Sequence, residues 1–222
     1  ATLWAVFSGP AAAESPVVVE LFTSQGCSSC PPADRVLSDI AARDDVIAIA
    51  LHVDYWDYLG WKDEFADPSF TQRQRAYARA KGKRTVYTPQ MIVGGQDHIV
   101  GTKSMELANL LQQHREAGNP VKVNLKRDGD RVRLVAVGNV GGGAVVQILT
   151  YIPKSIVDIR RGENAGKRLT YHNTVNRIVE LAKWDSGSEY RASVQMPDRD
   201  APVVVLVQQK GPGPILGAAR LR

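Results

Sequence analysis

Two adjacent prolines, Pro31 and Pro32, stand directly behind the only two cysteines of this 222-residue chain, in "LFTSQGCSSCPPADRVL" from Leu21 to Leu37. A proline inside a helix lacks an N–H and its ring collides with the preceding turn, so both can be helical only within the first turn. The spacing therefore predicts a helix that begins at about Ser28 to Pro31. The apolar runs "PVVVELFT", Pro16 to Thr23, and "VIAIALHV", Val46 to Val53, read as strands on either side of it. Strand, cysteine turn, helix and strand make a βαβ unit, which sets an α/β organisation for the first half.

The texture changes near residue 118. Before it, the polar and aromatic insertion "DYWDYLGWKDEFADPSF" leads into "SFTQRQRAYARAKG", with Phe70, Tyr77 and Ala80 at helical spacing. "QMIV" and "DHIV" flank Gly94-Gly95 as a tight hairpin. Leu107, Leu110, Leu111 and His114 then mark a helix stopped by Gly118. After Pro120, "VKVNLKR", "RVRLVAVG", "AVVQILTYI", "YRASVQM" and "PVVVLVQQ" alternate between turn residues, the pattern of an antiparallel sandwich. An all-β second half cannot extend a doubly wound first half, so the expected organisation is an α/β domain over 16–118 and a β-sandwich domain over 120–222. With 44% hydrophobic and 23% charged residues, the chain carries enough apolar surface to fold without staples.

The helix start places Cys27 at or just before the N-cap, where unpaired N–H groups and the positive end of the helix dipole favour a thiolate. Lowering a thiol from about 8.5 to about 6.5 requires about 2.7 kcal/mol. A helix terminus contributes at most about 2 kcal/mol, so hydrogen bonds from the amides of Ser29 and Cys30, or from the Cys30 thiol, are expected to supply the rest. Cys27, read as the exposed tip, would attack, and Cys30, one turn inside, would resolve the mixed disulfide. Two rivals stay open. An inert disulfide closing a four-residue loop would stabilise by only about 2 kcal/mol. A copper or zinc carrier would need Cys27, Cys30 and His52 or His98, and the four histidines show no ligand-pair spacing.

A strand ending in C-x-x-C that opens a helix, a second strand, a helical insertion and "YTPQMIVGG" together resemble the thioredoxin superfamily. The resemblance implies a thioredoxin-like first domain and a cis peptide at Thr88-Pro89 beside the disulfide, with Thr88 pairing its backbone with substrate. It also implies a buried carboxylate on the first strand that takes the resolving thiol's proton, and Glu20 matches it; an ion pair or solvent is the other fate for that side chain. The superfamily's tryptophan before the first cysteine is replaced by Gly26, so the apolar landing surface is expected from Trp56 or Trp61. Closer still, "ELFTSQGCSSCPPAD", "LHVDYWDYLGWKDEFADPSFTQRQRAYA", "VYTPQMIVGG" and "ENAGKRLTYHN" resemble a family of secreted bacterial proteins of unknown function, which implies fold and export more firmly than activity.

His52, Asp54, Tyr55 and Trp56 follow the second strand at its carboxyl end, where ligands gather in open α/β sheets; packing is the plainer use of such an aromatic insert. The polar stretch "RRGENAGKRLTYHN", with a bend at Asn164-Ala165-Gly166, reads as a loop contacting the first domain or a partner. The N-terminal "ATLWAVFSGPAAAESP" looks like the tail of a secretory signal over residues 1–13, ending at Ala11-Ala12-Ala13, which places the protein in the periplasm or outside the cell. No later stretch approaches a membrane span. The net charge of +5 is spread without a nucleic-acid-binding signature, so basic residues such as Arg73, Arg75, Arg79, Lys81, Lys83 and Arg84 read as a solvated face, with docking of an acidic partner as the alternative. The sequence thus points to an exported thiol–disulfide oxidoreductase with Cys27, Cys30 and Glu20 in the chemistry and Thr88, Pro89 and Trp56 facing substrate. It needs no cofactor and no metal, only protein thiols or disulfides and a partner that regenerates the pair. The alternative is a metal carrier or an assembly module without turnover.

Overall fold

The computed structural model describes residues 15–185 and 187–222; the expected signal remnant over 1–13 lies outside them. Its elements run β1 Val17–Thr23, α1 Pro31–Ala41, β2 Val46–His52, a 3-10 turn Asp57–Leu59, α2 Pro68–Ala80, β3 Gln90–Val93, β4 Asp97–Val100 and α3 Ser104–Ala117. Strands follow: β5 Val121–Asp128, β6 Arg131–Gly138, β7 Ala144–Asp158, β8 Arg168–Trp184, β9 Glu189–Gln195, β10 Val203–Gln209 and β11 Ile215–Leu221. The prolines act as expected, with α1 starting at Pro31 and Cys30 at its N-cap. Gly94 and Gly95 (φ 59° and 74°) turn the β3–β4 hairpin, and Gly118 (φ 67°) ends α3. None of the described helices is long and apolar enough to cross a membrane.

The expectation of an α/β thioredoxin-like domain followed by an all-β sandwich is overturned. Strands take 44% of the described residues and helices 20%, so the fold is mostly β. One mixed eight-stranded sheet, in the order β11-β10-β7-β8-β2-β1-β3-β4, draws strands from both sides of residue 118. The physical reason lies at β2, which is buried at all seven positions; left as a sheet edge it would expose an apolar strand with unpaired backbone groups. Instead β8 runs parallel to it, with Ala50 opposite Thr174, and the Asn173 side chain donates to the Ala48 carbonyl at 2.8 Å. Asn173 reaches that carbonyl from a left-handed backbone position (φ 49°), which asparagine tolerates better than most residues.

The core has three main parts. Val18, Phe22, Ile49, Phe70 and Tyr77 meet Leu149, Val204 and Leu206 on one face of the large sheet. Val19, Leu21, Ala33, Leu37, Ala50, Met91 and Leu107 pack under α1 and α3 on the other. The three-stranded sheet β5-β6-β9 closes a third part over β7 and β10, around Leu134, Val146 and Val205. A small cluster of Val157, Ile159 and Tyr171, with Trp61 and Phe65 against it, joins the insertion after β2 to the far ends of β7 and β8. That junction lies beside the cysteines.

Candidate functional site

Cys27 and Cys30 form a disulfide with Cα atoms 5.4 Å apart, in a turn that leaves β1 and enters α1. The turn is held from within: Cys27 N–H donates to the Ser24 carbonyl and Cys30 N–H to the Cys27 carbonyl, each at 3.2 Å. The Gln25 N–H donates to Asp63 Oδ2 at 2.8 Å. Cys27 is not the exposed tip expected of it. It is 3% exposed and Cys30 fully buried, while Ser28 and Ser29 face solvent.

The loop between β7 and β8 is hydrogen-bonded to the backbone of the cysteine turn. Asn164, itself fully buried, donates through Nδ2 to the carbonyls of both Gln25 and Cys27 at 2.9 Å. Its own oxygen accepts from Lys167 Nζ at 2.8 Å. Glu163 Oε2 accepts from the Ser28 N–H at 3.2 Å. Of the two amides expected to support a Cys27 thiolate, Cys30's is engaged by the Cys27 carbonyl and Ser29's is not; the neighbouring Ser28 amide is taken by Glu163, and Pro31 and Pro32 have none. Among the described residues Ser29's amide is the turn's remaining donor.

Behind the disulfide is a carboxyl group that sequence reasoning missed. Asp34 lies one turn into α1 from Cys30, is 7% exposed, and accepts from the Thr23 hydroxyl at 2.8 Å. Burial pushes its carboxyl up to about 7, against the opposing influence of His52 and the Thr23 hydrogen bond. His52 is fully buried with Nδ1 2.7 Å from Asp63 Oδ2, while among the described residues its Nε2 has no partner, nor has the hydroxyl of Tyr171 whose ring lies 4.9 Å away. Burial would raise Asp63, but His52 and the amides of Gln25 and Phe65 outweigh it and hold that carboxyl below its usual range. Burial, then the charges of Asp34 and Asp63, push the Tyr171 phenol well up. Two acids in one pocket are thus driven apart: Asp63 stays ionised, and Asp34 sits near neutrality.

Glu20 is not brought to the cysteines. It shares the β1 face of Val18 and Phe22, under α2, whereas α1 packs against Val19 and Leu21. There its carboxylate accepts from Arg73 Nε at 2.6 Å and from the Tyr77 hydroxyl at 2.5 Å, a buried ion pair. Arg73 is accordingly no part of a solvated basic face.

Trp56, Thr88 and Pro89 are brought toward the cysteine turn. Trp56 Nε1 donates to Thr88 Oγ1 at 2.8 Å, and its Cβ would lie 3.1 Å from any Cβ added at Gly26, so a larger residue before Cys27 would press on Trp56. The Thr88-Pro89 bond is cis. A Cβ at Gly101 would lie 3.1 Å from Pro89 Cβ and 2.9 Å from Ala33 Cβ, which places Pro89 beside the first turn of α1. Trp61 Nε1 donates to Gln25 Oε1 at 2.7 Å and serves the turn rather than a landing surface. Asp54 accepts from the Thr71 hydroxyl at 2.5 Å, and Tyr55 donates to Gln74 at 3.1 Å; both anchor α2. His98 lies across from Tyr77 on the α2 face, at 6.1 Å between rings. Among the described residues no three His, Cys, Asp or Glu side chains converge as a metal site.

A match to a family described as "Protein of unknown function (DUF1223)" spans residues 18–208, which includes the cysteine turn, Asp34 and the β7–β8 loop. The chain belongs to the DUF1223 family. No curated protein matches this DUF1223 chain. Among solved structures it is similar to protein AGR_C_4864 from Agrobacterium tumefaciens, with 35% identity, TM-score 0.84, and 95% of this chain and 96% of that one covered. A likeness to HBP35 of Porphyromonas gingivalis (16% identity, TM-score 0.69, 94% and 75% covered) is one of fold alone.

Proposed function

We propose that this DUF1223 protein is an exported thiol–disulfide oxidoreductase acting on protein substrates, with Cys27 as nucleophile and Cys30 as resolving thiol. The observation that carries the reading is the buried Asp34 carboxyl, one turn behind Cys30 and poised near neutrality. A staple has no use for such a group. Export rests on the N-terminal apolar segment and on the redox conditions under which a close cysteine pair persists as a disulfide.

In the reducing direction the Cys27 thiolate attacks one sulfur of a substrate disulfide, forming a mixed disulfide and releasing the other sulfur as a thiolate that takes a proton from water. Cys30 then passes its proton to the Asp34 carboxylate and attacks the Cys27 sulfur. The Cys27–Cys30 bond forms, the second substrate thiolate leaves, and two electrons have moved from the pair to the substrate. A dithiol partner returns them, and the oxidising direction runs the same steps backwards. The half-buried Trp56 and Thr88 offer the surface against which the substrate strand lies, and Pro89, next in the chain, is buried. Because Cys27 is buried, attack requires the cysteine turn to open, and the Asn164 hydrogen bonds hold that turn.

The test is catalysed reduction of insulin by dithiothreitol. Exchange that disappears in Cys27→Ala supports the reading; stoichiometric copper or zinc uptake with no catalysed exchange overturns it in favour of a carrier.

A further inference from the structure

Residues 72–88 carry six basic side chains and no acidic one. Arg73 pairs with Glu20, but Arg75, Arg79, Lys81, Lys83 and Arg84 are all exposed, and none lies within ion-pair distance of a carboxylate among the described residues. Some surface cations find partners, as Arg43 and Arg115 do with Asp45 and Lys210 with Asp185, and others such as Lys103 and Lys183 do not among the described residues; what sets this segment apart is the density of its unpaired charges. Five uncompensated charges within ten residues equal the formal net charge of the whole chain, +5. Arg75, Arg79, Lys83 and Arg84 line a cavity of about 570 Å³, completed by Ala78, Thr85 and Val86. Their field reaches inward: after burial, Lys81 and Lys83 are among the causes that hold the His98 imidazole below its usual range.

This patch is fixed relative to the cysteine site. Gln74, on α2, donates through Nε2 both to the Tyr87 carbonyl and to Gln90 Oε1, each at 2.8 Å, which ties the basic helix to the segment holding Thr88 and Pro89. Thr88 in turn accepts from Trp56, the residue packed on Gly26. Tyr87, 41% exposed, stands between the cations and the cis proline. A chain laid from the basic cavity past Tyr87 arrives at Thr88 and the cysteine turn.

We propose that this surface docks an acidic polypeptide segment flanking the reactive sulfur of the substrate. The assignment names the substrate class of the site under "Proposed function" and rests on that reading for its biological meaning. Like-signed charges with no internal partner attract and orient an oppositely charged chain, raising its encounter rate by 10-fold or more at low salt. Polypeptide is favoured over a membrane or a nucleic acid because the patch leads through Tyr87 to Thr88 and Trp56, which packs on Gly26 beside the cysteine turn.

The experiment measures fluorescence anisotropy of a labelled 12-residue peptide with four glutamates and no cysteine, against the same peptide with glutamines. The wild-type chain and Cys27→Ser are expected to bind the acidic peptide about 10-fold more tightly at low salt, with the preference lost at high salt and in Arg79→Glu/Lys83→Glu. Equal affinity for the two peptides, or a preference unchanged by the double charge reversal, overturns the proposal. Tighter charge-dependent binding of phosphatidylglycerol vesicles or single-stranded oligonucleotide than of the acidic peptide overturns it as well. Cysteine-free peptides and the Cys27→Ser variant keep this result separate from redox activity, so acidic binding without insulin reduction would remove the oxidoreductase reading alone.

Discussion

Replacing Asp34 by Asn isolates the group on which the proposed chemistry turns. The amide keeps the size and can still accept from the Thr23 hydroxyl, but it never ionises. In the unfolded chain an aspartate has a pKa near 3.9, whereas burial raises Asp34 to about 7 in the fold. The native state therefore binds more protons than the unfolded state between these values, and stability falls as pH rises through the window. A gap of about three units at about 1.4 kcal/mol each gives a loss of about 4 kcal/mol, complete above pH 7 and absent below pH 4. Asp34→Asn is spared that loss. Urea unfolding of the oxidised protein at pH 4, 6 and 8 is expected to show equal stabilities at pH 4 and a mutant more stable by about 4 kcal/mol at pH 8. Insulin reduction should move the other way, with the mutant slower and without an inflection near pH 7. A stability difference that does not change with pH would refute the assignment of Asp34 as a buried group titrating near neutrality.

Asn164→Ala removes both of its hydrogen bonds to the cysteine turn, so the Gln25 carbonyl loses the Asn164 donor and the Cys27 carbonyl keeps only the Cys30 N–H. Reduction of the disulfide by a water-soluble phosphine should accelerate, while stability drops by about 1–3 kcal/mol; stopped-flow reduction and urea unfolding measure the two effects. Arg73→Met leaves the Glu20 carboxylate buried without its cation, and thermal unfolding should report a loss of about 3–5 kcal/mol that Glu20→Gln on the same background partly restores. Thr88→Val deprives the Trp56 indole of its acceptor; the Trp emission should change, and KM for insulin should rise with little change in the potential of the pair.

Local punctuation was legible in the sequence. The prolines could occupy only the first turn of α1, and Gly118 and the Gly94-Gly95 pair stand where the backbone takes positive φ. The joining of the halves was hidden, because the β2–β8 seam is a long-range pairing whose anchor, Asn173, looks in sequence like any polar strand residue. The choice between Glu20 and Asp34 was hidden for a different reason. Every residue of β1 is buried, so alternation carries no sign of which face Glu20 takes. Asp34 offered a weak signal, a carboxylate one helical turn from Cys30. The β7–β8 loop offered less still: "RGENAGK" has the composition of a solvated bend, and only the fold buries its asparagine.

The cysteines and the loop bonded to their turn stand some 135 positions apart along the chain. In the proposed export, a chain threaded N-terminus first presents both sulfurs to the oxidising compartment before residue 164 arrives. Oxidation of the nascent pair thus meets no obstruction, and with no third thiol in the sequence it has a single intramolecular product. Fastening of the turn is the later event, so the order of arrival itself separates forming this bond from securing it.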